Sequence, residues 1–197
     1  MPMLYTGKGD AGSSVLVKNG PAIPKSSALI EAMGALDEVN SFLGLCKVKA
    51  QGLTPEHRIA HIPTQAVGLP LAQLIHEMQN ALFTIQAEVV TPDRYSVPLT
   101  HVTELEAHIA LVEQEIPPVT AFCIAGGTEL AALLDIARTL ARRAERAVIS
   151  AIDSKETAIS SSSRAYLNRL SSALYALARY ANHQAGITEV HPSYLRK

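Results

Sequence analysis

The sequence has few cysteines, little net charge and no long hydrophobic run, and each absence excludes a class of protein. Only two of its 197 residues are cysteines, Cys46 and Cys123. They lie far apart in apolar surroundings, which fits two reduced thiols and neither a zinc site nor a disulfide framework. The formal net charge is -1, so no global field attracts nucleic acid or an anionic membrane. We therefore predict neither nucleic acid nor a membrane as a partner.

Hydrophobic residues nevertheless make up 48% of the chain. No window reaches the roughly 20 apolar residues that span a bilayer. The first residues, Met1 to Tyr5, lack the charged and apolar regions of a secretory signal. These features predict a cytoplasmic protein with a single domain over residues 1–197 and one hydrophobic core.

Apolar residues at helical spacing predict a series of helices joined by loops rich in glycine and proline. Residues 1–25 lack this spacing and are expected to form an extended loop, and residues 51–70 a connection. The pattern favours an all-α, five-helix bundle over 26–185, with an extended N-terminal loop segment and a frayed tail over 186–197. The predicted helices are 26–50 with a cap at Ser26 or Ser27, 71–90, 100–116 with a cap at Thr100 or Thr103, 128–152 with Thr128 as the cap, and 164–185 with Gly186 after its end.

The segment from Gly7 to Gly12 matches the G-x-G-x-x-G pattern, but its surroundings do not fit a dinucleotide-binding fold. Only six residues precede Gly7 and no helix pattern follows Gly12, whereas the fingerprint joins a strand to a helix. A P-loop fails too, because Gly7-Lys8 is followed by Gly9 and not by Ser or Thr.

The same loop has the chemistry to bind phosphate in another way. Glycines let backbone N–H groups approach phosphate oxygens, and the hydroxyls of Thr6, Ser13 and Ser14 add donors. Lys8 and Lys25 supply positive charge. On its own, this segment is explained equally well by a flexible turn without a ligand. The remaining polar residue of the loop is Asp10, a carboxylate that can hold Mg²⁺.

A cluster of arginines marks the fourth predicted helix. Arg138, Arg142 and Glu145 fall on the row beside the apolar stripe, at the rim of a buried surface. Arg143 and Arg146 lie further round. Guanidinium groups bind oxygens in bidentate fashion, so the cluster suits a triphosphate, with salt bridges within or between subunits as the alternative. The stripe itself consists of Leu130, Leu134, Ala137, Ala141, Ala144 and Val148.

Other polar residues carry weaker signals. Asn168 and Arg169 lie near the start of the fifth predicted helix, where a helix terminus favours anions. His57 and His61 are four residues apart but lack an accompanying Glu ligand pattern, so no metal site is predicted there. Three other histidines are expected on helix surfaces, namely His76, His101 and His108.

Four segments together resemble the PduO-type ATP:cob(I)alamin adenosyltransferases and occur in that family's order. The resemblance implies a homotrimer of five-helix bundles with ATP bound between adjacent subunits. It also implies transfer of the 5′-deoxyadenosyl group of ATP to cob(I)alamin, with release of triphosphate and help from Mg²⁺. A flavin reductase and a B12-dependent enzyme are then candidate protein partners. The four segments are Tyr5–Ser14, Glu31–Asn40, Arg138–Arg146 and Tyr166–Ser171.

The resemblance also implies roles for individual residues. Arg138 would pair with Asp37 of the partner subunit, and Phe122 would lie over the corrin and help displace the lower axial ligand of cobalamin. These three residues and Arg142 form the implied catalytic set. The implied ATP-binding set is Thr6, Gly7, Lys8, Gly9, Asp10, Gly12, Ser13, Ser14, Lys25, Arg142, Arg143, Glu145, Arg146 and Asn168.

Two positions depart from the family pattern, and two other kinds of protein remain open. Ser172 stands where the family usually has Asp, and Ala125 where it commonly has Pro before paired glycines. A non-catalytic protein that binds ATP or cobalamin would carry the same phosphate-contacting residues. A bundle whose arginines serve only subunit contacts would not bind ATP at all.

Overall fold

The computed structural model describes residues 4–52 and 69–195, and within them it shows an all-α bundle with a short two-stranded sheet. The strands β1 (Ser13–Ser14) and β2 (Ile23–Pro24) pair antiparallel, so that the N-terminal segment forms a small hairpin. The predicted five-helix architecture is confirmed. Its helices are α1 (Ala28–Gln51), α2 (Leu71–Val90), α3 (Leu99–Glu115), α4 (Glu129–Asp153) and α5 (Ser161–Gln184).

Side-chain caps fix several helix ends where the sequence places them. The Ser27 hydroxyl accepts a hydrogen bond from the Ile30 N–H at the start of α1. Thr128 does the same for Ala131 at the start of α4. After α5 the chain turns at Gly186, whose φ of 67° is readily adopted only by glycine. These three ends are therefore set by local chemistry.

The helices pack in a defined order around one core. α1 contacts α2 and α4, α4 also contacts α5, and α5 contacts α3. All six residues of the predicted α4 stripe are buried. Three of them are alanines, which let α4 lie close to its neighbours, while each large apolar side chain buried in the core contributes about 1.5–3 kcal/mol.

Two helices begin earlier than the sequence predicts. α3 starts at Leu99, after Pro98, without a side-chain cap, so the predicted caps Thr100 and Thr103 lie inside the helix. α5 starts at Ser161 and is capped by Ser160, three residues before the predicted start at 164.

A buried carboxylate from another helix explains the early start of α5. Glu88, near the end of α2, is 2% exposed. It accepts a hydrogen bond from the Ser160 backbone N–H at 2.6 Å and another from the Ser163 hydroxyl. Because an anion at a helix N-terminus satisfies free N–H groups, this tertiary contact extends the helix into the serine run.

The expectation that His108 lies on a helix surface is wrong. Its side chain is 7% exposed and it shares the buried face of α3 with Leu105 and Val112. Its Nδ1 donates a hydrogen bond to the Glu104 carbonyl oxygen at 2.6 Å, which partly satisfies the buried ring. His76 and His101 are exposed as predicted.

The positions of His57 and His61 lie outside the described residues, as does most of the predicted 51–70 connection. None of the described helices has the length and apolar character needed to cross a membrane.

Candidate active site

The two predicted catalytic arginines, Arg138 and Arg142, lie with Phe122 at one cleft. The cleft has a volume of about 530 Å³ and lies between α4, α5 and the loop that precedes α4. Phe122 comes from this loop, and its side chain is 79% exposed. Arg138 and Arg142 reach the cleft from α4, and Ser172 and Tyr175 line it from α5. An exposed aromatic ring therefore faces a basic helix across a space large enough for part of a ligand.

Arg138 is held in place by contacts on two helices. Its Nε donates to the Asp135 carboxylate at 2.9 Å, one turn earlier on α4. Its guanidinium carbon lies 5.8 Å from the centre of the Tyr175 ring on α5, a cation–π distance. The implied pairing of Arg138 with Asp37 of the partner subunit is a contact that one chain does not test. Asp37 is exposed on α1.

The other arginines of α4 point away from the core. Within residues 4–52 and 69–195, neither Arg142 nor Arg146 has an ion-pair or hydrogen-bond partner, and both are exposed. Arg143 forms an ion pair with Glu38 of α1. Of the three residues predicted at the rim, Arg138 and Glu145 are half-buried, while Arg142 is exposed and lines the cleft beside Arg138. Unpaired guanidinium groups keep their donors available for phosphate oxygens.

Asn168 joins a chain of polar contacts across three helices. Its amide Nδ2 donates to Glu145 of α4 at 3.0 Å, and its Oδ1 accepts from Arg169 at 2.7 Å. Arg169 in turn pairs with Glu106 of α3 at 2.9 Å. Since α5 begins at Ser161, Asn168 lies beyond the first turn, and its predicted place near the helix terminus is wrong.

The glycine-rich loop is shaped by backbone hydrogen bonds and by two residues with positive φ. Gly7 and Gly12 have φ of 68° and 82°. The Gly12 N–H donates to the Gly9 carbonyl at 3.1 Å, and the Lys25 N–H donates to the Gly12 carbonyl at 2.8 Å. A Cβ atom placed on Gly9 would lie 3.1 Å from the Lys25 Nζ. The loop therefore holds a lysine ammonium directly over a glycine backbone.

The remaining predicted residues of this segment lie before the hairpin or in its first strand. Thr6, Lys8 and Asp10 are exposed, while Ser13 and Ser14 are half-buried in β1. The Lys8 N–H donates to the Thr6 hydroxyl oxygen at 3.4 Å.

The loop and the arginines of α4 remain separate within one chain. Among the described residues, no hydrogen bond or ion pair links 6–14 or Lys25 to the segment 138–146. The structure brings Phe122, Arg138 and Arg142 together, and Glu145 with Asn168, but it leaves the loop as a second polar patch. A single chain thus presents two separate polar patches.

The structure brings to the site residues that the sequence analysis does not single out. Tyr175 lies between two guanidinium groups, 5.8 Å from Arg138 and 6.0 Å from Arg179. Arg179 is 7% exposed and pairs with Glu189 of the C-terminal tail. The available signal was an arginine in the alanine- and leucine-rich second half of α5, because a buried charge needs a partner.

The C-terminal tail contacts the loop that carries Phe122 through Val190 and His191, so this part of the tail is held in place, while Arg196 and Lys197 of the tail expected to fray lie outside the described residues. The Ile124 N–H donates to the Val190 carbonyl at 2.8 Å, and His191 Nδ1 donates to the Phe122 carbonyl at 3.0 Å. Hydrogen bonding from Arg179 holds the pKa of the Glu189 carboxyl below its usual value, which outweighs the opposite effect of burial.

The match to a family model covers the residues that build this site. Residues 4–181 match the model described as cobalamin adenosyltransferase. The chain belongs to the cobalamin adenosyltransferase family. The family match spans the hairpin loop, all five helices except the end of α5, and the loop that carries Phe122.

Relatives of this family resemble the chain over most of its length. The corrinoid adenosyltransferase PduO of Citrobacter freundii is 36% identical over 188 residues, which cover 92% of this chain and 50% of that protein. The corrinoid adenosyltransferase of Bacillus subtilis (strain 168) is 35% identical over 95% of this chain and 90% of that protein. The chain therefore spans half the length of the first relative and nearly all of the second.

Solved structures show the same fold. A variant of the PduO-type ATP:corrinoid adenosyltransferase of Lactobacillus reuteri, complexed with cobalamin and ATP, is 28% identical with a TM-score of 0.80, covering 98% of this chain and 100% of that chain. An arginine-to-lysine variant of that enzyme, complexed with ATP, is 29% identical with a TM-score of 0.79, covering 96% of this chain and 100% of that chain.

Proposed function

We propose that this protein transfers the 5′-deoxyadenosyl group of ATP to cob(I)alamin, forming adenosylcobalamin and releasing triphosphate. The observation that carries the proposal is the cleft in which Phe122 faces Arg138 and Arg142. An exposed aromatic ring suits the flat apolar face of a corrin, and exposed guanidinium groups suit a triphosphate. Family membership and the cobalamin and ATP complexes of the Lactobacillus reuteri enzyme support the same chemistry.

The proposed reaction is a nucleophilic displacement at the C5′ carbon of ATP. The electron pair of cob(I)alamin forms the cobalt–carbon bond while the bond from C5′ to the triphosphate oxygen breaks, and its electron pair leaves on triphosphate. Because cob(I)alamin is a very strong nucleophile, the protein needs no general base. Its tasks are to align C5′ with cobalt and to stabilise negative charge on the departing group.

Charge stabilisation falls to the cations of the two patches. Arg142 and Arg146 have no ion-pair partner within the described residues and are free to contact phosphate oxygens. Arg143 would share its charge between Glu38 and the ligand. Lys25, which follows β2 and is held over the backbone of Gly9, would contribute from the N-terminal segment.

The separation of these patches supports a homotrimer with ATP between subunits. The loop of one subunit would then complete the arginine patch of the next, and Arg138 would reach Asp37 of the partner subunit. α1 and α4, which carry Asp37 and Arg138, also present exposed apolar side chains that a subunit interface would cover. These are Leu45, Val48, Ile136 and Ile149, each at least 39% exposed.

Mg²⁺ would enter the site with the phosphates of ATP. No group of three or more His, Cys, Asp or Glu residues in the described part of the chain can hold a metal. Mg²⁺ commonly binds through one or two carboxylates together with substrate phosphates, and keeps several waters. The glycine-rich loop before β1 supplies one suitable carboxylate, the exposed Asp10. Bound there, the cation would neutralise charge on the triphosphate.

Cytoplasmic function is consistent with the free thiols of Cys46 and Cys123, since reducing compartments keep thiols unpaired. A flavin reductase that supplies reduced cobalamin and a B12-dependent enzyme that takes the product remain candidate partners.

One anaerobic assay tests the proposal against a non-catalytic binding protein. Purified protein is mixed with ATP, Mg²⁺ and chemically reduced cob(I)alamin, and visible spectra and free triphosphate are followed together. We expect the spectrum of adenosylcobalamin to appear with one triphosphate per product. Binding of ATP without formation of the cobalt–carbon bond would refute the enzyme and favour a carrier. Absence of ATP binding by calorimetry would instead favour arginines that serve only subunit contacts.

A further inference from the structure

The backbone around Phe122 is tied to the C-terminal tail at two adjacent points. The Ile124 N–H donates to the Val190 carbonyl at 2.8 Å, and His191 Nδ1 donates to the Phe122 carbonyl at 3.0 Å. Outside their own loop, the backbone groups from 122 to 124 make no other hydrogen bond within the described residues. The Phe122 ring itself is exposed, so its position depends on how firmly this backbone is held.

The tail in turn is fastened to α5 by one ion pair. Arg179 Nε donates to Glu189 Oε1 at 2.5 Å, and Arg179 Nη2 donates to Glu189 Oε2 at 2.8 Å. This bidentate geometry is the strong form of an arginine–carboxylate contact. The two side chains are only 7% and 23% exposed, so water screens them weakly.

The same arginine also holds the start of the loop. Arg179 Nη2 donates to the Pro117 carbonyl at 2.8 Å. At the other end of the loop, Asn182 donates to the Gly126 carbonyl at 2.8 Å and accepts from the Thr128 N–H at 2.9 Å. α5 therefore anchors both ends of the loop directly. Near its middle, the Cys123 side chain contacts Tyr175 of α5, while the backbone of Phe122 and Ile124 is held by the tail.

We propose that Glu189 is a positioning residue, which, by pairing with Arg179, locks the tail and so sets the position of Phe122 at the cleft. This inference rests on the proposed function, because it takes Phe122 as the residue that displaces the lower axial ligand of cobalamin. Glu189 does not line the cleft of Phe122 and Arg142. Its effect reaches the loop through Val190 and His191, and through its own contact with the Cys123 side chain.

The direct test measures the loop in the protein without ligands. Hydrogen exchange at the Ile124 amide is compared in the wild type, Glu189→Gln, Glu189→Asp and the matched control Glu113→Gln, an exposed glutamate on α3. Since amide exchange follows the opening of the hydrogen bond, we expect it to be about tenfold faster in Glu189→Gln, which corresponds to ~1.4 kcal/mol. Glu189→Asp should recover part of the protection, and the control should not change.

A second measurement tests whether the position of the loop affects the coordination of cobalamin. With ATP and cob(II)alamin bound, the fraction of cobalamin that has lost its lower axial ligand is read from the visible spectrum. We expect this fraction to fall about tenfold in Glu189→Gln, while the Kd for ATP and the kcat from cob(I)alamin stay within about twofold, because the arginine patch is unaltered.

Unchanged exchange at Ile124 in Glu189→Gln would overturn the proposal, as would faster exchange with an unchanged cob(II)alamin spectrum. If the wild type binds ATP but forms no adenosylcobalamin, the proposed function fails. The exchange measurement then decides the link between Glu189 and the Phe122 loop by itself, with faster exchange supporting it and unchanged exchange refuting it.

Discussion

Replacing Arg142 by alanine separates the stability of the fold from the chemistry of the site. The Arg142 side chain is exposed and has no ion-pair or hydrogen-bond partner among the described residues. Exposed substitutions of this kind change the free energy of unfolding by less than about 0.5 kcal/mol. A guanidinium that stabilises charge on departing triphosphate lowers the energy of the transition state and does not stabilise the fold. Its loss should lower kcat by about 10²–10³, or roughly 2.7–4 kcal/mol of transition-state stabilisation.

The assay combines thermal unfolding with single-turnover formation of adenosylcobalamin from cob(I)alamin. Arg142→Lys keeps the charge but not the bidentate fork and should retain partial activity. Arg94→Ala is the matched control, because Arg94 is exposed on the connection after α2. Normal turnover by Arg142→Ala would refute the assignment of this residue to the site. A large loss of stability would refute the claim that its side chain is free.

Three further perturbations test other parts of the structure. Gly127→Ala should destabilise the protein by more than about 1 kcal/mol in chemical denaturation. The reason is that Gly127 has a φ of 99° and that an added Cβ would collide with Asn182 Oδ1. A variant as stable as the wild type would contradict this. Phe122→Ala should slow the reaction from cob(II)alamin more than from cob(I)alamin, and equal losses would contradict its role at the lower axial ligand. Arg179 lowers the pKa of Glu189 in the folded protein. Their pair therefore stabilises the fold fully at a pH above the ordinary carboxyl pKa of 4.5, and this stabilisation is lost as the pH falls through the lower pKa of the folded state. Glu189→Gln should therefore flatten the dependence of the unfolding free energy on pH below 4.5; an unchanged slope would refute the linkage.

Helix ends show where local chemistry is sufficient for prediction. Ser27 and Thr128 each accept a hydrogen bond from an N–H three residues later, and Gly186 adopts the positive φ that ends α5. Each of these depends on a few neighbouring residues. The start of α5 does not, because it depends on Glu88, a buried carboxylate that comes from the end of α2.

In the candidate site, too, some features can be predicted from the local sequence and others depend on tertiary contacts. The spacing of Arg138, Arg142, Arg143 and Arg146 around a stripe of small apolar residues identifies a basic helix face without any structure. Which of these arginines has a partner is a different matter. Arg143 meets Glu38 of α1, a contact that the sequence of α4 does not reveal.

Periodicity and capping over short stretches of chain are enough to predict the five helices and the buried stripe of α4, and the spacing of the arginines predicts the cluster of cations. The cleft of Phe122 and the packing of Tyr175 between two guanidinium groups arise only when the helices pack together. The same packing brings Arg179 to Glu189 and so holds the tail. A charge placed in an apolar helix must find its partner wherever the fold brings one, and periodicity carries no information about where that is.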